Sequence, residues 1–197
     1  MTIKIIAFDW GDVLGFYDLS IFDSFLEKNN CLKNTSSFFK QYKPDFDIDK
    51  LSEEEFWSKL KKYLGFKGTW QELATANQNN LKINIKNLEL AKKIKENRIT
   101  ILLSNMDRTS VSRINKEVNL DEYFNKYYFS FKLGQNKMNE DVLKQIISEF
   151  NVRSEEVLFI DDFQGNVDKA HKFGFKTILY KDEEQLSKEL KHHLNQS

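Results

Sequence analysis

The sequence predicts an α/β domain, a parallel sheet covered by helices on both faces and interrupted by a helical insertion. Three observations predict it. Five short runs rich in β-branched and aromatic residues alternate with segments of helical pattern, the alternation that crossover connections impose on a parallel sheet. The runs are almost continuously apolar, as strands covered on both faces must be. The first and second runs lie roughly ninety residues apart, far more than one crossover helix needs.

In order, the first strand is "IKIIAF" at 3–8. The long interval after it carries helices of its own. "LSIFDSFLEKN" places Leu19, Phe22, Phe25 and Leu26 on one face. "LSEEEFWSKLKKYLG" begins with Ser52 and Glu55 at capping-box spacing, runs through Phe56, Leu60 and Leu64, and stops at Gly65. "TWQELATANQNNL" predicts a further helix, and "NIKNLELAKKIKEN" predicts one that belongs to the core and leads into the second strand. The remaining strands are "RITILL" at 98–103, "KYYFS" at 126–130, "EVLFI" at 156–160 and "KTILY" at 176–180. The expected domains are a core of residues 1–15 and 86–197 and a cap of residues 16–85. No internal repeat or low-complexity linker occurs.

Bulk properties narrow the function. The chain has 197 residues, 30 basic and 30 acidic, and a formal net charge of zero, which argues against a nucleic-acid binder held by counterion release. Its single cysteine, Cys31, excludes an internal disulfide framework and a cysteine-rich zinc site; packing or a loop thiol is its expected role. Met1 leads directly into "TIKIIAF" with no basic or long apolar leader and no run able to span a bilayer. A cytoplasmic protein acting on a small molecule, without nucleic acid or membrane, as a monomer or homodimer, is the expectation. His171, His192 and His193 lie at no metal-binding spacing with the cysteine, the last two suiting a helix C-terminus. No glycine-rich nucleotide loop is present.

In a parallel sheet, ligands bind beyond the carboxyl ends of the strands, where the strand order reverses. After the first strand comes Asp9, after the second Ser104-Asn105, after the third a loop with Lys137, and after the fourth Asp161-Asp162. Acids, a hydroxyl and a lysine at one sheet edge are the chemistry of a phosphoryl group and a divalent cation.

These segments, "FDWGDVL", "ILLSN", "LGQNKMNEDV" and "FIDDFQGNVDKAHKFG", resemble in order the four signatures of the haloacid dehalogenase (HAD) superfamily of hydrolases. The likeness covers nearly the whole chain, with the insertion at the position of that family's cap. "LSEEEFWSKLKKYLG" followed by "LLSN" and "IDDFQGN" is similar to the branch holding the phosphatase domain of soluble epoxide hydrolases and bacterial sugar-phosphate phosphatases. The resemblance implies a Rossmann-like core and a magnesium-dependent phosphatase acting on a small phosphorylated metabolite, a sugar phosphate or similar monoester.

It further implies roles. Asp9 is the expected nucleophile, forming an aspartyl-phosphate. Asp9, Asp162 and the carbonyl of Gly11 would hold Mg2+, which takes few carboxylates and keeps several waters. Asp161 would orient the metal waters or Lys137, and otherwise reads as an acid at a helix N-terminus. Ser104, with the Asn105 backbone N–H, would donate to the phosphoryl oxygens, though a serine here is also an ordinary N-cap. Lys137 would neutralise charge, with Met138 standing where the family usually has proline. Asn166 would orient Asp162 or cap a helix. Trp10 is expected to wall the pocket or face the core, with the wall favoured. Phe16, Tyr42, Trp57 and Trp70 are candidates to line the cap pocket or merely pack the cap.

Gly11 departs from the pattern. The family's phosphatases usually carry there the aspartate that protonates the leaving group, help worth about 10² to 10⁴ in rate. Asp12 is the nearest substitute, but a one-residue shift on an extended segment turns it away, and only a turn begun at Gly11 brings it back. Two other readings therefore stay open: a non-catalytic protein that keeps the fold and binds a phosphorylated ligand or partner, and a metal-independent haloacid dehalogenase.

Overall fold

The computed structural model describes residues 2–195, so the outermost limits of the expected core, at residues 1 and 197, lie outside the described residues. Strand β1 (Ile5–Phe8) is followed by β2 (Gly15–Tyr17), helices α1 (Leu19–Lys28), α2 (Ser36–Asp47), α3 (Glu53–Leu64) and α4 (Trp70–Gln78), then β3 (Leu81–Ile83). The rest alternates: α5 (Ile85–Lys95), β4 (Ile99–Ser104), α6 (Arg108–Glu117), β5 (Lys126–Phe129), α7 (Ser130–Leu133), α8 (Glu140–Glu149), β6 (Val157–Asp161), α9 (Gln164–Phe173), β7 (Lys176–Leu179) and α10 (Glu183–Asn195). Each anticipated core strand is present within a residue or two.

Five strands form one sheet in the order β5-β4-β1-β6-β7, and every pairing in it is parallel. The chain starts in the middle, works outward through β4 and β5, then crosses back to β6 and β7. The order thus reverses around β1, and the crevice at its carboxyl end is where a ligand site forms.

Alternation along β1 feeds two apolar layers. Ile6 and Phe8 pack with Leu88 and Ala91 of α5, Ile114 of α6 and Leu186 of α10. Ile5 and Ala7 pack with Val142 and Ile146 of α8 and Ala170 of α9. Ile5, Ile6, Ala7 and Phe8 are fully buried, so the strand that delivers Asp9 is fixed from both faces.

The cap helices have their own core, with Phe22, Leu26, Phe38, Phe56, Leu60 and Leu73 at its centre. Phe46 stacks on Phe56 with ring centroids 4.3 Å apart. Ser52 and Glu55 form the expected capping box on α3, and Gly65 ends it at φ 70°. Thr69 and Glu72 form another on α4. Leu19 departs from its expected face: it is 65% exposed while Phe22 and Leu26 are buried.

Two features had no sequence signal. Helix α2 contains Pro44, and its N-cap Thr35 makes no side-chain capping bond, so the markers that reveal a helix are missing. Strands β2 and β3 pair antiparallel, Gly15 opposite Ile83 and Tyr17 opposite Leu81, and form the stalk through which the chain enters and leaves the cap.

Candidate active site at the carboxyl edge of the sheet

Asp9 is the first residue beyond β1, its backbone N–H donating to the Ile160 carbonyl at 2.9 Å. Its two carboxylate oxygens are not equivalent. Oδ1 accepts the Trp10 N–H at 2.7 Å and lies 2.7 Å from Lys137 Nζ. Oδ2 accepts no hydrogen bond among the described residues and faces Gly11, where an added Cβ would sit 3.7 Å away.

Lys137 is buried and also donates to Asp161 Oδ2 at 2.6 Å. Burial works against its charge, but Asp9 and Asp161 outweigh it and hold the ammonium above its ordinary value. The loop bearing it is pinned from β4, where Asn105 Oδ1 accepts the Lys137 backbone N–H at 2.8 Å. Met138, in place of proline, donates its N–H to Asn136 Oδ1 at 2.8 Å and buries its side chain against α8. Proline has no N–H to give, so the turn here is closed differently.

Asp161 is the last residue of β6 and fully buried. It accepts the Phe163 N–H at 2.9 Å and the Asn166 side-chain amide at 3.1 Å. Asn166 therefore orients Asp161, not Asp162. Burial and the charge of Asp9 hold Asp161 above the usual carboxylate range. Asp162 is pushed up to about 6 by burial, then by Asp9, Asp161 and Asp12. Carboxylate oxygens of Asp9, Asp161 and Asp162 lie within 4.8 Å of one another. Three acids crowding one lysine leave negative charge uncompensated, and hard oxygen donors in this arrangement fit a divalent cation such as Mg2+.

Gly11 does begin a turn. Its carbonyl accepts the Val13 N–H at 2.6 Å, and Asp12 takes a positive φ of 51°. That turn, absent from an extended segment, brings the Asp12 charge close enough to act on Asp162. A carbonyl has two lone pairs, so Gly11 keeps one for a cation.

Ser104 ends β4, is buried, and accepts or donates no side-chain hydrogen bond among the described residues. It does not cap a helix: α6 starts at Arg108 with Asp107 as N-cap, accepting the Ser110 N–H at 2.9 Å. Trp10 does not wall the site either. It is buried in the core with its indole against Gly15, where a Cβ would approach within 2.7 Å.

A second charged cluster was not anticipated. Lys43 and Asp47, one turn apart on α2, form an ion pair, and Lys43 Nζ lies 3.4 Å from Asp107 of the core. Ser110 donates to Asp107 Oδ2 at 2.7 Å and Tyr17 donates to Ser110 at 2.9 Å. Burial pushes Asp47 up against the opposing pull of Lys43, and the Lys137 charge also reaches it. Burial also opposes the charge on Lys43, but Asp47 and Asp107 outweigh it and raise the ammonium. The Ser130 hydroxyl accepts the Met106 N–H at 2.9 Å and donates to the Asp47 carbonyl at 2.6 Å, tying α2 to the loop after Ser104. An i,i+4 Lys–Asp pair is visible in the sequence, but such pairs are usually solvated, and only cap docking gives this one a partner.

A model of haloacid dehalogenase-like hydrolases matches residues 3–174. No curated protein matches the chain in sequence. Among solved structures, a HAD family enzyme of Bacteroides thetaiotaomicron, in complex with magnesium and inorganic phosphate, is similar at 22% identity and TM-score 0.80, over 91% of this chain and 94% of that one. A protein of Porphyromonas gingivalis described as a predicted HAD-like family hydrolase is 26% identical at TM-score 0.79, over 100% of both chains. The L-2-haloacid dehalogenase of Xanthobacter autotrophicus with chloropropionic acid covalently bound is similar in fold at TM-score 0.61 and 18% identity, over 96% of this chain and 82% of that one. With the family model spanning four of the five sheet strands, the cap and all four strand-end loops, the chain belongs to the haloacid dehalogenase-like hydrolases.

Proposed function

We propose that this protein is a magnesium-dependent phosphatase that hydrolyses a small phosphorylated metabolite through an aspartyl-phosphate on Asp9. The observation that carries the reading is the inequivalence of the Asp9 oxygens: Oδ1 is held by Lys137 and the Trp10 N–H, and Oδ2 is open. A carboxylate fixed by one oxygen presents the other in a defined direction, the requirement for in-line attack on phosphorus.

Oδ2 forms the new P–O bond as the bond to the leaving alcohol breaks. Lys137 offsets charge on Asp9 and on the transferring group, and the Ser104 hydroxyl and Asn105 N–H donate to phosphoryl oxygens. Gly11 offers no acid–base side chain, and Asp12, carried by the Gly11 turn, is the candidate substitute to give the departing alkoxide its proton and to take one from the water that cleaves the acyl-phosphate. Asp161 and Asn166 keep Lys137 aimed. Asp9, Asp162 and the Gly11 carbonyl would hold Mg2+, which supplies neutralisation of the phosphoryl charge when bound. The relative of B. thetaiotaomicron solved with magnesium and phosphate supports this choice of ion. The same reading has the protein acting on its substrate in the cytoplasm, as monomer or homodimer.

The purified protein with magnesium should hydrolyse p-nitrophenyl phosphate or an acyl phosphate, whose leaving groups need little protonation, faster than an alkyl phosphate. Gly11 favours a second reading, a non-catalytic ligand binder. It wins if no ester is turned over while calorimetry still shows magnesium and a phosphate mimic binding. Haloacid hydrolysis that survives chelation would instead identify a dehalogenase.

A further inference from the structure

The carboxyl edge of the sheet holds one more hydroxyl, which the chemistry on Asp9 does not use. Ser130 follows β5 directly and is fully buried. Its oxygen joins three elements. It accepts the N–H of Met106, in the loop between β4 and α6, at 2.9 Å, and donates at 2.6 Å to the carbonyl of Asp47, the last residue of cap helix α2. That carbonyl is one of the end groups for which a helix has no internal partner. A hydroxyl has one proton to give, and the other acceptor in reach, the Met106 carbonyl, is 3.3 Å away. Donating to Asp47 polarises the oxygen and strengthens it as an acceptor for the Met106 N–H. Without α2 the proton turns to the Met106 carbonyl, a longer bond within the loop itself.

Met106 comes directly after Ser104-Asn105. On the other side Ser104 is held by the sheet, opposite Phe129, and the Asn105 side chain accepts the Lys137 backbone N–H. The Asn105–Met106 peptide is therefore the adjustable end of this short segment, and Ser130 is what holds it. Two ion pairs, Lys43–Asp107 at 3.4 Å and Arg108–Asp49 at 2.8 Å, bring the same stretch of cap against the same loop. Resting on the phosphatase reading, we infer that Ser130 is a positioning residue: through its hydroxyl the seated α2 fixes the loop that offers Ser104 and Asn105 to the phosphoryl group, so cap docking and phosphate affinity are coupled.

Inorganic phosphate, which has no leaving group to touch the cap, isolates this role. In calorimetric titration of the magnesium-loaded protein, Ser130→Ala should weaken phosphate binding about tenfold, the scale of one hydrogen bond to a charged group. Magnesium affinity should not change, because Asp9, Gly11 and Asp162 follow other strands. A packing role alone would lower the melting temperature and leave phosphate affinity as it was, which overturns the inference. Ser130→Cys, close in size but a weak hydrogen-bond partner, replaces the alanine variant if that does not fold, with the same two outcomes. Lys43→Met, which loosens the cap tie, should weaken phosphate binding about threefold with Ser130 present and not at all in the Ser130→Ala background. An equal loss in both backgrounds is a direct effect of the Lys43 charge and overturns the coupling, as does no loss in either. Hydrolysis of p-nitrophenyl phosphate is read separately. Phosphate binding that depends on Ser130 without turnover removes the phosphatase reading and leaves the coupling standing. Turnover with phosphate affinity indifferent to Ser130 does the reverse, and a wild type that neither binds phosphate nor turns over overturns both.

Discussion

Two lysines in this molecule each sit between two carboxylates, and they differ in what holds them. Lys137, 2% exposed, lies between Asp9 and Asp161, all three on loops or strand ends of one sheet. Lys43, with a side chain 34% exposed, lies between Asp47 on its own helix and Asp107 across the cap–core boundary. The first triad is built into a rigid frame, and its geometry is set before any ligand arrives. The second exists only while the cap is seated, so it reports on docking and not on chemistry.

The largest test of that division is Asp9→Asn, which should lower turnover by roughly four or more orders of magnitude, the scale for loss of a nucleophile. A residual rate within tenfold of wild type would remove the chemical role from the first triad. Lys137→Met should cost about 10² to 10³ in kcat. It should also destabilise the fold by about 3–5 kcal/mol, because two buried carboxylates lose their counter-charge; urea denaturation measures the second effect.

Gly11→Asp should raise the rate on an alkyl phosphate by about 10² and change that on p-nitrophenyl phosphate little, because only the poor leaving group needs a proton. The backbone at Gly11 is not in the left-handed region, and a Cβ there meets only Asp9 Oδ2 at 3.7 Å. Unaltered alkyl phosphate turnover would mean that Asp12 already fills the role.

Asp162 links the site to stability. Its pKa of about 6 in the fold exceeds its ordinary value near 3.8, so its ionisation destabilises the metal-free fold fully above pH 6 and not at all below about pH 4. Asp162→Asn should stabilise the metal-free protein by ~1 kcal/mol at pH 7.5, after discounting for its half-exposed position. The gain should fade as pH drops from 6 to 4, and the variant should lose the stabilisation that added magnesium gives the wild type. Thermal melts across pH, with and without magnesium, check both. Smallest is Lys43→Met, which should cost about 1 kcal/mol or less and alter KM more than kcat. An equal loss in kcat would make the second triad chemical after all.

The first triad was legible because Asp9 and Asp161 stand at the ends of apolar strands and Lys137 lies in the loop region after a third, and a parallel sheet brings these carboxyl ends to one edge. Asp9, Ser104, Lys137 and Asp161 could be placed without coordinates for that reason. Finer assignments failed where they depended on loop path: Asn166 reaches Asp161, and Trp10 turns into the core against Gly15. The sequence does not settle Asp12, because the turn that carries it is closed by backbone hydrogen bonds from Val13, Leu14 and Gly15 to the Gly11 and Trp10 carbonyls, which side-chain pattern does not reveal. The second triad was illegible because Asp107 is remote in sequence from Lys43 and the helix joining Lys43 to Asp47 contains Pro44.

The β2–β3 stalk has an architectural consequence. Because Tyr17 pairs with Leu81, residues 18–80 depart from and return to the same spot, and the core sees them as a side loop already closed at its base. Lengthening, shortening or exchanging that loop alters closure entropy only logarithmically with length and leaves the register of β1 against β4 and β6 untouched. A chimaera carrying on this stalk a foreign helical insert that offers Ser130 a carbonyl, as Asp47 does, should therefore keep its strand-end chemistry and change only its choice of guest, which makes the stalk a natural splice point for engineering selectivity.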